Sequence, residues 1–150
     1  MLVLVFKLGD DRYALPTADV ILLVPAVPLR SLPRTPDFIA GVFEYKGLAV
    51  PVVDLQLLTK QQPCEQRLST RIMLTNYTAP KSGRSHVLGL MAEDITNVLE
   101  IDRKQIKGNA VTVGEAPYLG DIATGEEGLI QLLEPNKILP NALQDTLFVR

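Results

Sequence analysis

Four short runs constrain this chain more than anything else in it: residues 20–24 (VILLV), 48–53 (LAVPVV), 71–77 (RIMLTNY) and 85–91 (SHVLGLM). Each is apolar or rich in β-formers and bounded by turn residues, which is how strands look in sequence. A strand with one wet face alternates apolar and polar residues. The first two runs do not alternate, so both of their faces want cover. One face can fill the interior of a small barrel, and the other needs a sister subdomain or another protein. Burial within the molecule is the expectation for most of these side chains. Gly9-Asp10-Asp11, between VLVFKL and RYAL, adds a hairpin, because Gly and Asp tolerate tight-turn backbone angles. Pro33, Pro36, Pro63 and Pro80 punctuate loops.

Only the C-terminal stretch has useful helical spacing. Pro135 opens it, Ile138, Leu139, Ala142 and Leu143 recur at helical intervals, and Pro140 breaks it in two. A weak internal repeat organises the rest. Leu15, Asp19, Val20 and Val24 match Leu90, Asp94, Ile95 and Leu99 at a constant offset of 75, half the chain. A looser echo sets Phe38-Ile39, Gly41, Gly47-Leu48 and Val52-Val53-Asp54 against Tyr118-Leu119, Gly120, Gly128-Leu129 and Leu132-Leu133-Glu134. The repeat predicts one domain made of two similar β subdomains, about residues 1–65 and 66–134, with a helical segment at about 135–145.

Composition narrows the function. With 150 residues, 47% hydrophobic and 21% charged, the chain is a folded domain and not a disordered one. A formal net charge of −2 without any basic run makes nucleic acid an unsuitable partner. Cys64 is the only cysteine, which rules out an internal disulfide and a multi-thiolate zinc site and fits a reducing compartment. Residues 1–6 read as a first strand and not as a signal peptide, and the longest apolar stretch, residues 20–29, contains Pro25 and Pro28 and is far too short for a membrane span. The expected location is the cytoplasm.

Chemistry is hard to find. A nucleophilic site would have to use His86, the only histidine, with Cys64 or a serine, yet His86 opens an apolar strand beside the basic loop Lys81-Ser-Gly-Arg84 and reads as a strand-edge residue. The glycines of residues 114–120 and 125–128 fit no phosphate-cradling spacing, and Glu126-Glu127 and Asp10-Asp11 read as solvated turns. Tryptophan is absent and aromatics make up 5%, which argues against a base-stacking platform. No catalytic residue, metal site or cofactor is expected.

The segment FIAGVFEYKGLAVPVVDL (residues 38–55) resembles the signature of the CheW family, in which FI-x-G-V precedes an NLRG-type turn and a V-x-P-[VI]-[VI]-D-L strand. LVFKLGDDRYALP (4–16) is similar to the family's opening hairpin, and GLMAEDITNVL (89–99) to its G-[IL]-x-V-D-x-V-x-x-V-L stretch. The resemblance covers nearly the whole chain, in order. It implies a mainly β fold of two small five-stranded SH3-like barrels packed on a shared apolar seam, with short helices. It also implies a non-catalytic cytoplasmic adaptor, recruited to membrane receptor arrays, that couples methyl-accepting chemoreceptors to a CheA-type histidine kinase. Val20 and Leu22 match the strand associated with partner contact, Gly89 and Ile95 match its counterparts across the receptor groove, and Glu44-Tyr45-Lys46 occupy the turn associated with the kinase. Ordinary strand packing or a solvated turn is the competing account of each.

Departures from the pattern are specific. Leu22 replaces the usual Glu and removes an ion pair, Lys46 keeps a charge but lacks the bidentate fork of Arg, and the Val-Asp before Ile95 becomes Glu93-Asp94. Together they imply a divergent member, serving a chemosensory pathway that does not control flagella. Three alternatives differ in what they require. A β-barrel module for another protein or a small ligand, outside chemosensing, needs a groove with fitting chemistry. An enzyme needs His86 beside Cys64. A competitor or phosphate-sink accessory needs, for the sink, an acidic receiver pocket that this sequence lacks.

Overall fold

The computed structural model describes residues 1–148 apart from residues 66, 81, 109–115 and 126–127, and without the side chains of residues 141, 145 and 146. The sequence readings at Lys81, Gly114 and Glu126-Glu127 lie outside the described residues. Among the described residues, eleven strands form two sheets. They are β1 (Leu2–Leu8), β2 (Asp11–Pro16), β3 (Val20–Pro25), β4 (Ile39–Tyr45), β5 (Leu48–Asp54), β6 (Arg71–Thr78), β7 (Ser85–Ala92), β8 (Asp94–Glu100), β9 (Ile106–Lys107), β10 (Leu119–Gly125) and β11 (Gly128–Leu133). The six-stranded sheet runs β8-β1-β2-β11-β10-β9 and the five-stranded sheet β3-β6-β7-β5-β4. Helices are short: α1 (Leu55–Lys60) and α2 (Asn141–Leu147). None is long and apolar enough to cross a membrane. The C-terminal reading holds, since a 3-10 turn at Pro135–Lys137 and α2 are separated at Pro140.

Strand after strand sends alternate side chains into different cores. In β1, Val3 and Val5 enter an interior belonging to the six-stranded sheet, with Ala14, Ala123 and Ile130, while Leu4, Phe6 and Leu8 enter a cluster shared by both sheets. The five-stranded sheet mirrors this. Val52, Ile72 and Leu74 fill its own interior, and Val53, Met73 and Leu90 meet the shared cluster. Each large side chain so buried contributes roughly 1.5–3 kcal/mol. The C-terminal segment closes the seam with Ile138, Leu139 and Leu143.

The expected division at about residue 65 is corrected by the strand pairing. The five-stranded sheet is continuous from β3 to β7, and the six-stranded sheet takes β1 and β2 from before it and β8 to β11 from after it. The chain crosses between sheets only at Thr17–Asp19 and at Glu93. Even so, the repeat marks true equivalents. β3 and β8 are edge strands carrying a bulge at the same place, beside Leu74 and Val5 respectively, and β5 and β11 each pair in parallel with a central strand. The six-stranded sheet is thus a circular permutation of the other. Similarity at a fixed offset says which segments are alike; it does not say which copy each will pair with.

In β3 the expectation of burial within the molecule fails for Ile21, Leu22 and Leu23, which are 44%, 44% and 40% exposed, whereas Leu22 also carries the competing expectation of partner contact. An edge strand has a neighbour on one side only, so its apolar side chains lack half of their cover.

Candidate interaction surface

β3 presents a bare apolar edge. Among the described residues β3 pairs with β6 alone, and its outer flank carries the unused backbone groups of an edge strand next to Ile21, Leu22 and Leu23. Such edges attract another chain unless they are charged, covered or interrupted. Its sister β8 is guarded differently. At the bulge position equivalent to Ile21, Thr96 shares its single hydroxyl proton between Asn97 Oδ1 at 2.7 Å and the Val5 carbonyl at 3.2 Å. Asn97 then stands where β3 has Leu22. The two sheets therefore share a frame and differ in the chemistry of their edges.

Val20 and Ile95 are brought together in one sense: both are half-buried against the shared cluster. Leu23, opposite Met73, and Val98, opposite Leu4, continue that face outwards, with Val98 52% exposed. Sequence reasoning passed over this pair, although the offset of the repeat links them. Leu22 lies opposite Leu74, on the other face of the strand. Gly89 is displaced from the expected groove. It is buried in the interior of the five-stranded sheet, where an added Cβ would come within 2.9 Å of Ile72 and 3.0 Å of Val52, so its missing side chain is a packing requirement.

Glu44, Tyr45 and Lys46 form one end of the β4–β5 hairpin. Lys46 and Gly47, at φ 49° and 80°, make a two-residue turn of the I′ kind, in which both central residues are left-handed. Glu44 and Lys46 are exposed, Tyr45 packs on the interior of the five-stranded sheet, and Lys46 Nζ sits 5.4 Å from the Tyr45 ring. The hairpin thus holds an ammonium and a carboxylate in water on a stiff support.

Behind these surfaces lies a buried polar clasp. Asp54 is 4% exposed; one oxygen accepts from the Leu57 N–H at 3.0 Å, capping α1, and the other from the Cys64 N–H at 2.9 Å. Glu93, at the crossing between sheets, accepts from the Glu65 N–H at 2.9 Å and faces Arg67 at 3.7 Å. At the far end of α1, Lys60 pairs with Asp11 of the β1–β2 hairpin, tying the helix to the other sheet.

His86 and Cys64 do not form a catalytic pair. The Cys64 thiol lies in the interior of the five-stranded sheet, and burial first, then the Asp54 and Glu93 charges, push it up to about 12, so it stays protonated and unreactive. The His86 ring stacks on Phe148 with centroids 4.3 Å apart, and burial followed by the Arg84 charge lowers its proton affinity. No hydrogen bond joins the two among the described residues.

The model of the CheW-like domain family matches residues 2–143 of the chain. The chemotaxis protein CheW of Klebsiella aerogenes is 29% identical over 139 residues, covering 91% of this chain and 80% of its own length. Protein FrzA of Myxococcus xanthus is 33% identical over 143 residues, covering 93% and 85% respectively. Among solved structures, the scaffolding protein TtCheW of Thermoanaerobacter tengcongensis matches with a TM-score of 0.79 at 23% identity, over 93% of this chain and 87% of that one, a likeness of fold.

Proposed function

The chain belongs to the CheW-like domain family, and we propose on that basis that it is a non-catalytic adaptor joining a methyl-accepting chemoreceptor to a CheA-type histidine kinase. The supporting observation is the bare β3 edge, where three neighbouring aliphatic side chains are 40–44% exposed, the first two of them at places where the sister edge carries Thr96 and Asn97. Adaptors work through shape and apolar contact, with a few charges to set register. In this reading the receptor tip lies along the face of Val20, Leu23, Ile95 and Val98. The kinase's regulatory domain meets the hairpin of Glu44, Tyr45 and Lys46, Leu22 adds an apolar contact on the separate β3 edge, and the adaptor is held at the membrane only through its partners. Affinity capture with the purified receptor cytoplasmic domain and with the kinase from the same genome tests this. Retention of both is expected; retention of neither contradicts the proposal.

A further inference from the structure

Apart from β9, each strand of the six-stranded sheet has an equivalent in the five-stranded one, so their interiors can be compared position by position. Phe43 pairs with Val50 and Tyr45 with Leu48 in the five-stranded sheet; Ala123 pairs with Ile130 and Gly125 with Gly128 in the six-stranded one. The parallel pairings agree, since Val52 lies opposite Gly89 and Leu132 opposite Ala14. Ala123 therefore stands in the place of Phe43, and Gly125 in the place of Tyr45. In the five-stranded sheet both rings pack onto the interior cluster, together with Val87. In the six-stranded sheet the two rings are gone, and Arg12 holds the position of Val87.

Their absence leaves a cavity of about 270 Å³ at that end of the six-stranded sheet. Its floor is apolar, with Leu99, Ala123 and Ile130, and its mouth is polar, with Arg12, Gln105 and Thr124. An apolar cavity of about 150 Å³ is enough for a benzene ring. The polar wall is held in place from within: Gln105 donates to the Thr124 carbonyl at 3.0 Å and accepts from the Asp102 N–H at 2.8 Å. A Cβ added at Gly125 would meet nothing closer than 3.8 Å. An apolar floor with polar groups converging at one opening is the general form of a small-ligand site.

We infer that this end of the six-stranded sheet binds a single aromatic ring bearing one hydrogen-bonding substituent, with the ring on Ala123 and Ile130 and the substituent at the Gln105–Thr124 mouth. The sister sheet supplies the shape argument, because it fills the same place with its own Phe43 and Tyr45. The site is independent of the β3 edge and the β4–β5 hairpin, so it stands or falls separately from the adaptor reading.

Amide shifts of ¹⁵N-labelled protein titrated with p-cresol, and separately with N-acetyltyrosinamide, test the inference. Saturable shifts confined to Ala123, Thr124, Gly125 and Ile130 are expected. Ala123→Phe and, as a second variant, Gly125→Tyr each copy the residue of the sister sheet. Each is expected to keep or raise the melting temperature and to abolish the saturable shifts. Binding of p-cresol alone assigns the site to a free small phenol; binding of both probes extends it to a tyrosyl side chain of another polypeptide. No saturable shift in the wild type, or undiminished shifts in either folded variant, overturns the inference.

Discussion

At Asp54 a single carboxylate serves two backbone donors, the Leu57 N–H that begins α1 and the Cys64 N–H ten residues on. The residue was legible in sequence as the Asp of the VPVVDL strand, but its work was not, because the second donor arrives through a loop that only the fold brings back. Removing the carboxylate loses a helix cap and strands a buried N–H. Asp54→Ala should therefore destabilise the protein by about 2–3 kcal/mol, read from urea unfolding. Tyr77 poses the opposite case. It is fully buried, stacks on Phe148 at 5.3 Å, and its hydroxyl has no hydrogen-bond partner among the described residues. Tyr77→Phe keeps the ring and deletes the stranded hydroxyl, so it should be neutral or stabilising by about 1 kcal/mol, measured in the same way. Gly89 shows a limit of reading by motif. Its pattern position suggested a groove, whereas its surroundings, Ile72 and Val52, are interior.

β3 and β8 carry the argument at the level of elements. From sequence, VILLV reads as a buried strand, since an all-apolar run looks the same whether it sits in a core or at an unpartnered edge. Only the strand order separates the two. Exposed positions tolerate substitution within about 0.5 kcal/mol. Leu22→Glu or Leu23→Glu should therefore leave the melting temperature near wild type while weakening partner capture, and a matching loss of thermal stability would mark these side chains as structural. The β4–β5 hairpin makes a parallel test. Lys46→Glu reverses its exposed cation and should weaken kinase coupling at unchanged stability. Lys46→Asn removes the charge but suits the left-handed backbone at φ 49°, so it should weaken coupling while holding or slightly raising stability in thermal melts.

Taken as a whole molecule, the protein is one sheet inserted into its own permuted copy, stapled along a shared apolar seam. The offset of 75 was visible in the sequence, as were the hairpin at Gly9-Asp10, the break at Pro140 and the predominance of β structure. The crossing points were not. They are one short turn at Thr17–Asp19 and the single residue Glu93, and neither carries a linker-like composition. That architecture gives two equivalent edges, which differ in chemistry at the bulge and at the residue after it. The most direct measurement is co-sedimentation of the kinase with receptor-bearing membranes, with this protein added or withheld. The account predicts that kinase pellets only when the protein is present, and that Leu22→Glu or Lys46→Glu reduces the pelleted kinase while the variant stays folded. Kinase that pellets equally without the protein, or that stays in the supernatant with it, would contradict the account.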